Sequence, residues 1–592
     1  MVIIKNISIT PSQIPNDGTG RATIRCMVFT DTDNAKILSV WVDLLHTELY
    51  KTYPLNPNTN QFISQTREGE YYVTITIPWL MDTGRYLFII RAKNSKDETG
   101  RAVEACEIYY KHPGSFNIEN TLLKSRLEII TDSQIVDGNY VELLEDGKLA
   151  LEKRLELIDQ AEKQINIQTY MLGQTGAGRK ILDALFKKSN KGVEINLILN
   201  ADTQIPSSPI STVRLKLSQL IGDLVKEDET GLVEWFSQEV LDKSWIKTNT
   251  HGEINVLMIN GEQLKESKLE KDSQIKKTDH WLEKIIKDGL PKITENTLPK
   301  DWKSFFQGPG GLPSLPLLDY AVHEKMMIVD GKTAIVGGRN LENKYFTDWF
   351  DLECQITGPA VNNIQSGFLK TFNYIASKNN VQFPTPLYST SFNCNANDDV
   401  FFVQSRPWKR EYYTLKAIVA AIQGAQSHCY IRTQYIVLPD SLLKEALIDA
   451  VNRGVDVRIL TNSFQTSQHL NFGVGYFVSL NHLKGLMDKG IRIYEQKGIP
   501  EKLGKDYHHT KEFLFDTKLM AIGSFNVTIR SFFIESENLV FTSAKKLCKH
   551  RESVFLSDLK NQATEITQKY LIYLRKKHRS KMDLSQLVDI LF

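Results

Sequence analysis

The sequence predicts an all-β sandwich followed by two α/β halves built to one plan. Three observations carry this. Short runs of alternating apolar and polar residues fill the first 112 positions. Strand-like and helix-like runs then alternate from about residue 136, and a pattern of histidine, lysine and asparagine at 323–340 returns 186 residues later at 509–526. The expected boundaries are 1–112 for the sandwich, 113–384 for the first half with an insertion at 205–320, and 385–592 for the second half.

In the front region the runs ATIRCMVF, VWVDLL, YYVTITI and YLFIIRAK alternate with period two and are separated by turn residues, as half-buried strands do. The stretch Asp82-Thr83-Gly84-Arg85-Tyr86 resembles the tyrosine corner of immunoglobulin-like domains, in which the tyrosine hydroxyl bonds back to the backbone. Phe88 stands where antibody-type domains place a cysteine, so no inter-sheet disulfide is expected, and Cys26 reads as a small buried residue.

Beyond this region the first half places INIQTY before a helical run around ILDALF and then GVEINLIL. The second half repeats the order with YIRTQY, SLLKEALIDAVNRG and VDVRIL. Leu443, Ala446, Leu447, Ala450 and Val451 share one helical face. Tyr170 and Tyr435 end equivalent strands, and Gly192 and Gly454 end equivalent helices. QFPTPLYSTSFNCNAND reads as the linker between halves, and the insertion is expected to be partly helical around 280–288, closing with GPGGLPSLP.

The balance of 72 basic against 70 acidic residues gives a net charge of +2, which supplies no global field for nucleic acid or anionic lipid. A local exception is Arg575, Lys576, Lys577, His578, Arg579 and Lys581, following the apolar Tyr570–Leu574; it reads either as the solvated end of a helix or as a contact for anionic lipid. The start lacks the apolar core of a signal peptide and no run reaches the length of a membrane span. A cytoplasmic or peripheral membrane location is expected, or export by a route independent of a signal peptide. Six scattered cysteines without CxxC pairs argue against a zinc site or a disulfide framework.

The chemistry rests on HEKMMIVDGKTAIVGGRN (323–340) and HTKEFLFDTKLMAIGSFN (509–526). His323 matches His509, Lys325 matches Lys511, Asp330 matches Asp516, Gly337 matches Gly523, and Asn340 matches Asn526. An acid follows 11 positions after each asparagine, Asp351 in one copy and Glu537 in the other. A lone histidine is more often structural than catalytic, yet a structural reading would have to explain all these positions twice. In an extended segment, residues two apart point to the same side, so each copy offers an imidazole beside an ammonium. Asparagine adds an amide donor without charge, and the preceding glycines allow close backbone approach. Two such sets form an anion pocket with two imidazoles, an inventory suited to a phosphodiester. No carboxylates are expected to cluster there, so neither a metal nor another cofactor is expected.

The duplicated HxKxxxxD, followed by GGxN or GSxN, resembles the phospholipase D superfamily over about residues 130–592. The resemblance implies that one histidine attacks phosphorus to form a phosphohistidine while the other protonates the leaving alcohol. The first copy supplying the nucleophile, as is usual in that family, implies attack by His323 and acid-base work by His509. Asp351 and Glu537 would hold the imidazole tautomers, and Asp330 and Asp516, at the far end of the strand, would be structural. GGRNLENKYF, ITGPAV and GSFNVTIRSFFIESEN resemble the cardiolipin synthase-like branch, from which VTIRS and ESEN also depart.

The implied partners are a phospholipid surface and an acceptor, either water or an alcohol; nucleic acid is not expected, and the front domain is assigned an unknown protein or surface. A nuclease of the same superfamily would favour a basic, aromatic-lined cleft, a non-catalytic binding protein would have lost part of one motif, and a phospholipase effector would keep the same chemistry elsewhere. Two decoys are set aside. GQTGAGRK lacks the Ser or Thr of a P-loop after its lysine, and the sequon at Asn526 overlaps the proposed phosphate site.

Overall fold

The computed structural model describes residues 1–46, 69–114, 117–119, 121–173, 175–200, 320–378, 396–439, 441–468, 472–498 and 506–579, with short pieces at 63–64, 245–250, 252–259, 307–308, 312–313, 384, 386–389, 392 and 582. The chain divides into two compact units. One comprises 1–116, 272–316 and 440–446, and the other 117–271, 317–439 and 447–592.

The front region is a β-sandwich of two four-stranded sheets. One orders Val2–Thr10, Arg21–Thr30, Glu70–Thr76 and Ile63–Ser64; the other orders Gln13–Pro15, Thr99–Tyr109, Gly84–Asn94 and Ile37–His46. Alternate residues of Arg21–Thr30 are buried, which is the expected period of two, and Ile24, Val28, Val42, Phe88 and Ile90 join one core. The Tyr86 hydroxyl donates to the Asp82 carbonyl at 2.8 Å, and Cys26 is buried in the same core.

The larger unit carries the two α/β halves, and their pairings match strand for strand. In the first, Gln164–Thr169 runs parallel to Glu194–Asn200 and antiparallel to Met326–Val329, which continues antiparallel through Thr333–Gly337 to Glu353–Thr357. In the second, His428–Arg432 runs parallel to Asp456–Asn462 and antiparallel to Glu512–Phe515, which continues through Leu519–Gly523 to Glu535–Thr542. Strands Ile135–Leu144 and Asp398–Ser405 join the halves edge to edge, giving one 17-stranded sheet. Helices Gly176–Ser189 and Leu442–Asn452 make the crossovers; Gly192 and Gly454 follow them with φ of +88° and +87°, a conformation glycine adopts without a Cβ clash. The apolar faces meet in a core that includes Phe368, Phe372, Phe402 and Ile522, where burying each phenylalanine contributes roughly 1.5–3 kcal/mol.

Three local expectations need adjustment. Tyr170 and Tyr435 lie just beyond their strands, which end at Thr169 and Arg432. The linker ends before its last residue, because a strand already begins at Asp398. The insertion also contributes strands: Gly252–Ile259 pairs parallel with Glu194–Asn200 and antiparallel with Trp245–Thr250, extending the sheet. Its expected helix at 280–288 lies outside the described residues. No helix among the described residues is long and apolar enough to cross a membrane.

Candidate active site

Each repeated motif begins in an extended segment immediately before a strand. His323 and Lys325 precede Met326–Val329, and His509 and Lys511 precede Glu512–Phe515. The aspartates that close the motifs lie at the opposite end of those strands, in left-handed turns with φ of +51° at Asp330 and +53° at Asp516. The Asp330 carboxylate accepts the backbone N–H groups of Glu162, Lys163 and Gln164 at 2.8–2.9 Å. Asp516 accepts those of Gln426, Ser427 and His428 at 2.7–3.0 Å. Each aspartate therefore pins the start of the neighbouring strand and stands apart from the imidazoles.

The acids pair crosswise. His509 of the second copy places Nδ1 2.7 Å from Oδ2 of Asp351, which belongs to the first copy. His323 of the first copy places Nδ1 3.0 and 3.1 Å from the two carboxylate oxygens of Glu537, which belongs to the second. The backbone enforces the exchange: Ala321–Val322 pairs parallel with Glu535–Thr542, and Phe350 bridges to His508. The His323 N–H donates to the Ser536 carbonyl and the His509 N–H to the Phe350 carbonyl, at 3.1 and 2.8 Å. Neither half can assemble an oriented imidazole alone.

Glycine makes this approach possible. A Cβ on Gly338 would collide with the Asp351 carboxylate, and one on Gly523 with the Asn538 carbonyl. Asn340 and Asn526, which follow these turns, are buried; Asn340 Nδ2 donates to the Tyr345 hydroxyl at 2.8 Å. Burial of Asn526 also removes it as a glycosylation acceptor.

The electrostatics follow from burial. It lowers Lys511 to about 7 and Lys325 to about 8, although nearby carboxylates oppose the shift. His509 falls to about 3 through burial and the Lys511 charge, against the pull of Asp351. Burial would raise Asp351, but the His509 charge and hydrogen bond hold it at about 2. Burial and the Glu535 charge push Glu537 well above the usual carboxylate range, while burial and Lys325 push His323 well below the usual imidazole range.

Several site residues were not singled out from the sequence. Tyr345 meets His509 edge-on at 4.8 Å, Trp349 stacks on it at 6.0 Å, and Lys511 Nζ lies 3.1 Å from Gln434 Oε1. Tyr170, named from the sequence only for its place at a strand end, meets His323 edge-on at 5.0 Å. The hydroxyls of Ser524 and Ser531 donate to Glu537. The expectation that no carboxylates cluster here is corrected, because Glu535 Oε2 lies 3.8 Å from His323 Nδ1. Strand alternation puts Glu535 and Glu537 on one face, a signal present in the word ESEN. Donor atoms of His323, Glu535 and Glu537 lie within 4.8 Å of one another. They do not suit a divalent ion, because Arg530 Nε engages Glu535 at 2.8 Å, two serines engage Glu537, and the lysine charges lie close by.

The family described as cardiolipin synthase, PLD-like domain, matches residues 155–375 and 418–559. A cardiolipin synthase of Clostridium perfringens strain 13 is 24% identical over 463 residues, covering 75% of this chain and 76% of that protein. One from Listeria welshimeri is 27% identical over 292 residues, covering 47% of this chain and 57% of that protein. Among solved structures, a phosphatidylserine synthase of Haemophilus influenzae Rd KW20 aligns with a TM-score of 0.48 at 12% identity, over 80% of this chain and 100% of that one.

Proposed function

The chain belongs to the phospholipase D superfamily, in its cardiolipin synthase-like branch, and from that premise we propose that it cleaves a glycerophospholipid phosphodiester through a phosphohistidine and passes the phosphatidyl group to water or an alcohol. The supporting observation is the crosswise pairing of His509 with Asp351 and of His323 with Glu537, which yields two oriented imidazoles for one reaction. One attacks phosphorus and the other protonates the departing oxygen. The same pair then works in reverse on the acceptor.

Lys325 and Lys511 neutralise the nonbridging oxygens, and Asn340 and Asn526 supply uncharged donors. One such donor contributes roughly 10²- to 10³-fold in rate when charge develops on the oxygen it faces. All four side chains are buried, so these interactions act with little screening by water.

A lipid surface is favoured as the substrate's source by the helix Gln568–Lys577. Leu571 and Leu574 face the core, while Ile572 and Tyr573 are exposed beside Lys569, Lys576 and Lys577. That pattern matches an interfacial helix on anionic lipid. The front sandwich, outside the duplicated unit, serves as a contact module for a protein or surface.

The test incubates purified protein with mixed phospholipids and ethanol, and with single-stranded DNA in parallel. Phosphatidylethanol detected by mass spectrometry, absent with His509→Ala, is the expected result. Cleavage of DNA with no change in any lipid would replace this reading with the nuclease one.

A further inference from the structure

The two histidines have unlike surroundings at equivalent positions. Adding 186 to each number converts the neighbours of His509 into those of His323: Tyr345 becomes Ser531, and Trp349 becomes Glu535. Around His509 the two aromatic rings pack at 4.8 and 6.0 Å, and the ammonium of Lys511 lies 2.9 Å from Nδ1 and 3.1 Å from Nε2. A proton on Nε2 would be opposed at contact distance, while Asp351, 2.7 Å from Nδ1, balances the charge the ring gains when Nε2 attacks. Each lysine donates to the carbonyl of its own histidine, but Lys325 lies over the Tyr170 ring, and two carboxylates stand at the His323 imidazole, Glu537 at 3.0 Å and Glu535, which also pairs with Arg530, at 3.8 Å. The first cluster sets a lysine and two aromatic rings against the imidazole, and the second sets two carboxylates beside it.

From this asymmetry we propose that His509, in the second copy, is the nucleophile and His323 the general acid and base, with Glu535 as the residue that positions and retains the acid's proton. This reverses the order that family resemblance implies, and it rests on the phosphodiesterase reading above. Asp351 accepts the Nδ1 proton of His509 and leaves the Nε2 lone pair to attack. As the Nε2–P bond forms and the P–O bond of the leaving group breaks, the leaving oxygen takes the proton from His323 Nε2. The proton held between Glu537 and His323 settles on Nδ1, so the charge left behind falls on the carboxylate. In the second step the acceptor hydroxyl gives its proton to His323 Nε2, its oxygen bonds phosphorus, and the P–Nε2 bond breaks. The upward push on Glu537 agrees with a proton stored on that side.

The test uses a short-chain phosphatidyl-p-nitrophenol, whose leaving group departs without a proton. In the wild-type protein, rapid quench at neutral pH followed by peptide mass spectrometry is expected to map the phosphatidyl adduct to His509. His323→Ala is expected to keep a stoichiometric burst of p-nitrophenol and then stall, with the adduct accumulating, whereas His509→Ala gives no burst. Glu535→Gln is expected to slow a substrate with an alkyl leaving group about 10-fold while leaving the burst within about 2-fold, a selectivity that general disruption would not produce. An adduct on His323, or a burst that survives His509→Ala, overturns the assignment while leaving the phosphodiesterase reading intact. No p-nitrophenol from the wild-type protein overturns both.

Discussion

Asp351 Oδ2 and His509 Nδ1 lie 2.7 Å apart although 158 residues separate them, and both are buried. The contact fixes the ring's tautomer from the opposite half of the molecule. Asp351→Asn preserves shape but removes the charge that selects Nδ1–H, so turnover should fall by roughly 10²-fold or more with little change in folding. Steady-state kinetics beside a thermal melt checks this, and unchanged turnover would show that the carboxylate does not orient the imidazole.

The active form of each lysine is the ammonium, and burial brings Lys511 to about 7 and Lys325 to about 8 from the ordinary 10.5. Charge is present below these values and lost as pH rises through them. The kcat/KM profile should therefore decline above about pH 7–8 rather than near 10. A flat profile to pH 9.5 on a short-chain substrate would rule the ammoniums out as the controlling groups.

Chelation should leave turnover intact, since the only described cluster with metal-ligand types has Glu535 engaged by Arg530 and Glu537 by Ser524 and Ser531. Activity on a monomeric substrate with and without EDTA decides the matter. Loss that only one divalent ion restores would count against the lysine–asparagine arrangement.

Asp330→Ala strips the acceptor from three backbone N–H groups at the start of Gln164–Thr169. A cost of roughly 1–3 kcal/mol is expected, seen as a lower Tm, because those donors lose a charged partner. The folded fraction should still give the p-nitrophenol burst, whereas a missing burst in folded protein would make the aspartate catalytic.

Replacing Lys569, Lys576 and Lys577 together by glutamate should weaken sedimentation with anionic vesicles by about 10-fold or more at low salt, each lysine near such a surface contributing about 1 kcal/mol. Hydrolysis of a water-soluble ester should not change. Equal binding to neutral and anionic vesicles would exclude this helix as the lipid contact.

Much of this was legible in the sequence, for reasons that differ by residue. His323, Lys325 and Asn340 stood out because each has a counterpart at a constant spacing, and the paired β-α-β runs carried their own periodicity. Which acid serves which histidine was not legible. It depends on Ala321–Val322 lying beside Glu535–Thr542, a contact between residues more than 200 apart that no local pattern encodes. Trp349 carries no such marker, since an isolated tryptophan ordinarily signals core. The strands Trp245–Thr250 and Gly252–Ile259 were missed because their place is set by pairing with Glu194–Asn200 rather than by their own composition.

Crosswise pairing also bears on how such a chain can change. Duplication usually leaves a spare copy free to drift, but here damage to Glu537 disarms His323, and damage to Asp351 disarms His509, each in the opposite repeat. Neither repeat insures the other. Two fragments cut between the halves would be inert apart and active only when they recombine, so inheritance acts on the pair as a single trait while each partner remains open to separate specialisation in its surroundings.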